Sequence, residues 1–324
     1  MADLTIESVD DTRSAFDDPA RPRPVRIYLW EPLVRPAGDQ VGDGVVGFGS
    51  GIDSALPGSA RTSGDAVVQT DGRTRLILLS HGTGASGRDM AWLAEPLTRA
   101  GFLVAAVDHH GNNWVDGYLA PGFVFVWERP ADLRHALDVI ARDRDVDWVG
   151  AAGFSAGGYT SAALLGVRVD PDLVKLLAGG EIPEPAIPEF PGAFAWARQN
   201  ATADQMAEAG GDQSDDRVRA AFLICPGDGG LTSAASLRAV TRPVAIRWGG
   251  ADVINPAEQN ALRYLGLIDG AEGRSLGDDV EHHHLFADEE AGADVRARAA
   301  ADAVAFFVRV SGVGQPSGVP VHGA

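Results

Sequence analysis

The sequence predicts an α/β protein with a mostly parallel central sheet and helices on both faces. Three observations lead there. Short apolar runs recur along the chain, each followed by a stretch of helical periodicity, the alternation that builds parallel sheets. Those runs lack the in-out polarity of a half-exposed strand, as expected when both sheet faces are covered. One of them also runs directly into Gly153-Phe154-Ser155-Ala156-Gly157-Gly158 and then a helical stretch. That strand–turn–helix order presents a nucleophile at the end of a parallel strand.

Length and composition are compatible with one large domain over 1–324. The chain has 324 residues, 45% hydrophobic and 22% charged, which is ordinary for a globular protein with a substantial core. A formal net charge of −18 repels phosphate backbones and anionic lipid surfaces, so no nucleic-acid partner is expected. The lone cysteine, Cys225, excludes an internal disulfide. No stretch approaches the roughly 18 apolar residues that span a bilayer, so no membrane insertion is expected. The N-terminus lacks the basic head and apolar run of a secretory signal, which makes a cytoplasmic location the expectation.

In chain order, residues 1–24 are polar and acidic and read as a loose arm. Val25 to Trp30 reads as an early strand, and 36–64, rich in Gly, Ser and Asp, as a surface hairpin or loop. Strands are then predicted at Arg75–Ser80, Leu103–Val107, Val146–Ala152, Ala220–Cys225 and Val244–Trp248. Helices are predicted at Met90–Ala100, Pro130–Arg142, Ala156–Leu165, Pro256–Leu265 and Ala293–Val308. The last helix carries Val295, Ala299, Ala303, Phe306 and Phe307 on one side, an amphipathic closing element. Residues 312–324 read as a flexible tail.

One segment interrupts the alternation. Residues 166–217 carry Pro171, Pro183, Pro185, Pro188 and Pro191, then a polar acidic piece. An insertion longer than about 15 residues between core strands is usually functional. Placed after the nucleophile helix, it reads as a partial lid offering Phe190, Phe194 and Trp196 to a substrate. A surface insertion without such contacts is the alternative.

The chemistry follows from Ser155. A free alcohol is a poor nucleophile, so a base and an orienting acid must come from elsewhere. On such a scaffold they follow the serine in the order acid, then histidine. Asp252, in Gly249-Gly250-Ala251-Asp252-Val253-Ile254-Asn255-Pro256, stands just past a strand end, where a carboxylate can hold an imidazole tautomer. Asp228, after the preceding strand, is the alternative acid. The base comes from His282-His283-His284, histidine being the side chain suited to moving a proton near neutrality. His283 is preferred because it places Phe286 three residues on, an H-x-x-F spacing that resembles the one in the family named below; His282 and His284 stay open.

Oxyanion-hole donors are expected from the amide of Ala156 and, in His81-Gly82-Thr83-Gly84, from the amide of Thr83. His81 then braces that loop. Trp114 and Trp127 are candidate substrate-binding walls, with core packing equally open, and Asp132 reads as a helix-capping residue. A metal reading of the histidine run is disfavoured, since adjacent loop residues seldom converge on one ion. No metal and no cofactor are expected.

Together these pieces resemble the α/β-hydrolase superfamily. More narrowly they resemble the bacterial predicted dienelactone hydrolases, with relatives among platelet-activating-factor acetylhydrolases and cutinase-like polyester hydrolases. The resembling stretches are Leu76–Trp114, with SHGTG and VDHHGNNW, then ERPADL at 128–133, GFSAGGYT at 153–160, DDRVRAAFLICPG at 215–227 and PVAIRWGGADVINP at 243–256. The resemblance implies an acyl-enzyme mechanism with Ser155 as nucleophile, Asp252 as acid and His283 as base. It implies a small-molecule or polymeric ester as substrate, with short or medium acyl chains. The departures are Phe154, where many members have His, and the triple histidine in place of a single one. A serine in place of the cysteine of dienelactone hydrolases proper argues against that activity. An acyltransferase on the same scaffold, or a non-catalytic binding protein, is the alternative function.

Overall fold

The structure, a computed structural model, describes residues 1–32, 34–36, 68–70, 73–184 and 187–313. The expected hairpin at 36–64 lies almost wholly outside the described residues, as do Pro185 and the tail beyond Val313.

The strands are β1 (Leu4–Ser14), β2 (Pro22–Trp30), β3 (Val34–Pro36), β4 (Val68–Thr70), β5 (Thr74–Ser80), β6 (Leu103–Asp108), β7 (Asn112–Asn113), β8 (Gly117–Tyr118), β9 (Val146–Phe154), β10 (Val218–Ile224), β11 (Val244–Trp248) and β12 (Glu272–Ser275). Eight of them form one sheet in the order β1-β2-β6-β5-β9-β10-β11-β12. Strand β2 pairs antiparallel with both neighbours, and the remaining pairings of this sheet, β6-β5-β9-β10-β11-β12, are all parallel. This is the mostly parallel α/β sheet that the apolar runs predict.

The helices are α1 (Ala91–Arg99), α2 (Ala120–Val124), α3 (Arg129–Ala141), α4 (Ala156–Ala163), α5 (Pro171–Gly179), α6 (Ala193–Asn200), α7 (Ala203–Ala207), α8 (Ala234–Ala239), α9 (Ala261–Leu267) and α10 (Ala293–Ser311). One sheet face packs α1 and α10 through Leu93, Leu97, Ala299, Ala303, Phe306 and Phe307. The other packs α3, α4, α8 and α9 through Leu133, Leu137, Ala162, Leu237 and Tyr264. Alternate residues of one strand serve the two cores: Leu76 and Leu78 face one, Ile77 and Leu79 the other, as a pleated strand covered on both sides requires. Among the described residues no helix is long and apolar enough to cross a membrane.

Short elements outside the predicted set include α2, α8, β7 and β8, and three further elements differ from expectation. Residues 1–24 are not a loose arm, because β1 runs in register against β2 from Leu4↔Leu29 to Asp10↔Arg23. It is an edge strand whose mostly exposed, largely polar residues hide its pattern while its backbone still pairs. Strand β12 was missed for the same reason: its EGRS sequence is polar and largely exposed. Helix α9 starts at Ala261, five residues past the expected Pro256. The intervening turn is closed by Asn260, whose amide and side chain both donate to the Pro256 carbonyl.

The insertion after α4 folds into α5, α6 and α7. Asp170 caps α5 with its side chain, and Thr202 and Gln205 form a reciprocal capping box on α7, so short polar helices fit where no strand pattern exists. They enclose a third apolar cluster with α2, including Phe123, Phe125, Trp127 and Val174.

The turn from β9 into α4 is a very close approach. A Cβ on Gly157 would lie 2.0 Å from the Ser80 carbonyl oxygen, and one on Gly153 would lie 2.1 Å from that of Gly157. Neither distance is physically attainable, so both positions need glycine for close approach. Gly157→Ala is therefore expected to give protein that is largely unfolded or misassembled, measured by yield and by loss of a cooperative melt. A soluble variant melting within a few degrees of the parent would contradict this packing.

Candidate active site

Chain order changes direction at β5 and β9: β6 lies on one side of β5, and β9 on the other. Loops leaving the carboxyl ends of neighbouring strands diverge there and leave a crevice. The functional side chains gather at it. Ser155 follows β9 with φ 58° and ψ −124°, a strained backbone for a residue with a Cβ. The strain is held by bonds on both sides of the residue. Its amide donates to the Ile224 carbonyl at 2.9 Å, and its carbonyl accepts from the Gly158 amide at 2.8 Å and the Gly227 amide at 2.9 Å.

The structure brings Ser155, Asp252 and one histidine together, and that histidine is His282. Its Nε2 lies 3.1 Å from Ser155 Oγ and its Nδ1 lies 2.7 Å from Asp252 Oδ2. The other oxygen of Asp252 accepts the amides of Ile254 at 3.0 Å and Asn255 at 2.8 Å, leaving the carboxylate little freedom. With Asp252 accepting at Nδ1–H, Nε2 is the acceptor for the serine hydroxyl.

The expectation of His283 is thus corrected. Residues His282–Leu285 form a 3₁₀ turn, in which side chains three apart eclipse. His282 and Leu285 are the buried pair, so His283 and His284 turn away. His283 is 44% exposed and lies 3.4 Å from Glu281. His284 accepts the Glu281 amide through Nδ1 at 2.9 Å and caps the turn. Phe286 does belong to the site, but to its actual histidine: it packs edge-on to His282, and Phe154 lies tilted over the same ring at 4.7 Å between centroids. The position before the nucleophile carries no proton, yet its ring clamps the imidazole.

Asp228 is not the partner of this histidine. It sits in a left-handed backbone conformation, φ 57°, and burial raises its carboxyl to about 6 against the opposing pull of Arg129. Cys225 Sγ, Asp252 and His282 offer ligand atoms within 4.8 Å of one another. The carboxylate and imidazole already bond each other, however, and burial together with Asp252 pushes the Cys225 thiol well up, so it holds its proton. That set suits proton transfer better than a divalent ion.

Ser155 is 7% exposed, lower in the crevice than a hydroxyl pushed out at the top of the sheet. Gly82 comes within van der Waals reach of it, a Cβ there falling 3.2 Å from Ser155 Cβ. Asn255, which sequence reasoning did not single out, closes another side. Its Nδ2 donates to the Cys225 carbonyl at 2.9 Å and lies 3.4 Å from Ser155 Oγ. Its sequence signal is its place in the Gly249–Pro256 loop, three residues after Asp252.

Ala156 opens α4 directly after Ser155, and Thr83 follows Gly82, the residue that lies against the serine Cβ. The Thr83 hydroxyl donates to Glu189 Oε2 at 3.2 Å, which joins the 166–217 insertion to this loop. Phe190 stacks on Phe123 at 5.1 Å, and Trp196 meets Phe125 edge-on at 6.3 Å. The candidate wall residues fall elsewhere. Trp127 is buried in the third apolar cluster and borders a cavity of about 650 Å³ with Phe16, Arg23 and Trp196, whose lining includes none of Ser155, Asp252 and His282. Trp114 is 49% exposed and is held at the surface by Asp89, to which its Nε1 donates at 2.7 Å.

Behind the Gly82 loop lies a buried polar cluster. Asp132 does not cap its helix: it accepts from Arg13 Nη2 at 2.6 Å and lies 2.8 Å from His109 Nδ1. His109 Nε2 lies 2.8 Å from Ser80 Oγ, and the His109 amide donates to His81 Nε2 at 3.2 Å. Burial and the charge of Arg129 hold His109 down at about 4 and His81 well below its ordinary value. Burial alone would raise the Asp132 carboxyl, but Arg13 and His109 bring it well down.

No protein-family model matches this sequence, and no curated protein matches it. Solved structures do. A ferulic acid esterase from Streptomyces cinnamoneus aligns at 19% identity and TM-score 0.56, covering 99% of this chain and 92% of that one. The fold is that of the α/β hydrolases. A puromycin-hydrolyzing peptidase from Mycobacterium tuberculosis aligns at 14% identity and TM-score 0.52 over 98% of this chain and 41% of that one. A puromycin hydrolase gives 15% and 0.51, again with 41% of that chain covered. The chain thus spans less than half the length of these two relatives.

The depressed His109 sets a pH window for stability. An unfolded histidine binds a proton below about 6.5, while the folded one resists until about 4, so folding loses free energy as pH falls between those values. The loss is on the order of 3 kcal/mol for a shift of that size. Denaturant midpoints measured from pH 7 to pH 4 should fall accordingly, and His109→Gln should flatten that fall while lowering stability at pH 7. An unchanged slope in that variant would count against the buried neutral imidazole.

Proposed function

We propose that this protein is a serine hydrolase that cleaves carboxylic esters of short or medium acyl chain through an acyl-enzyme. The observation that carries the reading is the relay from Ser155 Oγ through His282 to Asp252, at 3.1 and 2.7 Å, on the strained turn between β9 and α4. Ser155 attacks the ester carbonyl as His282 Nε2 takes its proton, and Asp252 holds the Nδ1–H and stabilises the imidazolium. The tetrahedral oxyanion accepts from the amides of Ala156 and Thr83. His282 then hands the proton to the leaving alkoxide, and water resolves the acyl-enzyme by the same path in reverse.

Apolar surface beside the relay supports an ester with a hydrocarbon acyl group. Val253 and Ile254, next to the acid, and Phe286, against the His282 ring, are among the exposed large hydrophobic residues. The insertion, which reaches the oxyanion loop through Glu189, supports a lid role for 166–217. A polymeric ester remains within the same proposal.

The test is hydrolysis of p-nitrophenyl esters across an acyl-chain series. Ser155→Ala and His282→Ala should each lower kcat/KM by on the order of 10⁴ or more, with the melting temperature retained. His283→Ala should stay within about threefold of the parent, as an exposed side chain away from the reacting atoms would. Wild-type turnover in Ser155→Ala would falsify the proposal, and a large loss in His283→Ala with none in His282→Ala would overturn the choice of base.

A further inference from the structure

We infer that Ser80, His109, Asp132 and Arg129 form a positioning network that fixes the oxyanion loop against the nucleophile helix, using a second, buried Ser–His–Asp relay as a brace. The inference rests on the reading of the Thr83 and Ala156 amides as oxyanion donors.

The second relay matches the first in connectivity. Asp132 Oδ2 lies 2.8 Å from His109 Nδ1, and His109 Nε2 lies 2.8 Å from Ser80 Oγ. It is not a second active site: Ser80, His109 and Asp132 are 0%, 1% and 2% exposed, and no substrate reaches them. What it fixes is a hydroxyl direction. His109 is held neutral by burial and by Arg129, and Asp132 accepts at Nδ1–H, so Nε2 accepts the Ser80 proton. The Ser80 lone pairs then face Arg129 Nη2 at 3.4 Å.

Arg129 joins the two halves of the oxyanion hole. Its Nη2 donates to the His81 carbonyl, and its Nε donates to Thr160 Oγ1 at 3.1 Å. The Thr160 hydroxyl in turn donates to the carbonyl of Ala156 at 2.9 Å. One planar guanidinium therefore ties the start of the oxyanion loop to the first residue of the nucleophile helix, a span a lysine ammonium cannot make.

The amide that matters is fixed one peptide further on. His81 takes the His109 amide at Nε2, so it carries its proton on Nδ1 and donates that to the Gly82 carbonyl at 2.6 Å. A trans peptide is planar, so holding the Gly82 carbonyl sets the direction of the Thr83 N–H on the other side of the same plane. Two successive peptide units are thus clamped, the first by Arg129 and the second by His81. Arg13 secures the far end by pairing with Asp132 at 2.6 Å. Preorganised donors contribute most when their dipoles need not reorient during reaction, and this network supplies that rigidity.

The test compares Ser80→Ala and Arg129→Lys with Ser155→Ala in the full chain. Readouts are kcat and KM for p-nitrophenyl butyrate, and the affinity of an alkylboronic acid that adds to a serine as a tetrahedral mimic. A positioning role predicts that kcat and boronate affinity fall together, about tenfold in Ser80→Ala and about a hundredfold in Arg129→Lys, with KM within about twofold; loss of a whole oxyanion donor typically costs about 100- to 1,000-fold. A lowered melting temperature with parental kcat and boronate affinity would overturn the inference. If Arg129→Lys does not fold, Ser80→Ala, which only removes an oxygen, decides alone. Full turnover in Ser155→Ala would instead sink the hydrolase reading itself, so the two failures are separable.

Discussion

The site depends on how closely the turn after β9 lies against the end of β5. Gly157 can rest on the Ser80 carbonyl only because it has no side chain. That contact sets how near the serine turn comes to the His81–Gly82 loop, and Arg129, bonded to the His81 carbonyl and to Thr160, ties the same two segments together. The same requirement explains why Ser155 tolerates its strained backbone: hydrogen bonds from Gly158 and Gly227, and to Ile224, hold the residue from three directions. Strain of this kind costs on the order of 1–3 kcal/mol and persists only where its surroundings over-determine it.

Charge is used differently inside the protein than outside. The net charge of −18 concerns the surface, whereas the ground beneath the site holds Arg13, Arg23 and Arg129 beside Asp132 and Glu128. Burying such groups is costly unless each is paired and hydrogen-bonded. The pairs here link distant parts of the chain: Arg13 and Arg23 come from β1 and β2 and meet the start of α3. The first two strands, remote in sequence from the chemistry, are thereby tied to the loop that faces it.

Sequence reasoning recovered the core strands to within a few residues, because buried parallel strands are continuous apolar runs that few other structures mimic. Ser155 and Asp252, which the structure joins through His282, could be picked out for a related reason, since glycine spacing and strand-end position are local properties. Edge strands β1 and β12 were illegible because they pair through backbone while their side chains face water. The choice among three histidines was illegible because it depends on the rotation of a 3₁₀ turn, and H-x-x-F spacing matched the wrong member. Asp132 resembled a cap by position alone. Its real partners, Arg13 and His109, are 119 and 23 residues away, and no local pattern reports them.

The histidine run has a consequence for how this loop can change. In most loops an insertion or deletion of one residue would carry the sole imidazole out of the crevice and end the relay. Here a one-residue deletion ahead of the run would bring His283 to the backbone position of His282, with Phe154 still placed to hold the ring. The segment carries spare copies of its least replaceable part, and its length is freer to drift than that of the turn bearing the serine.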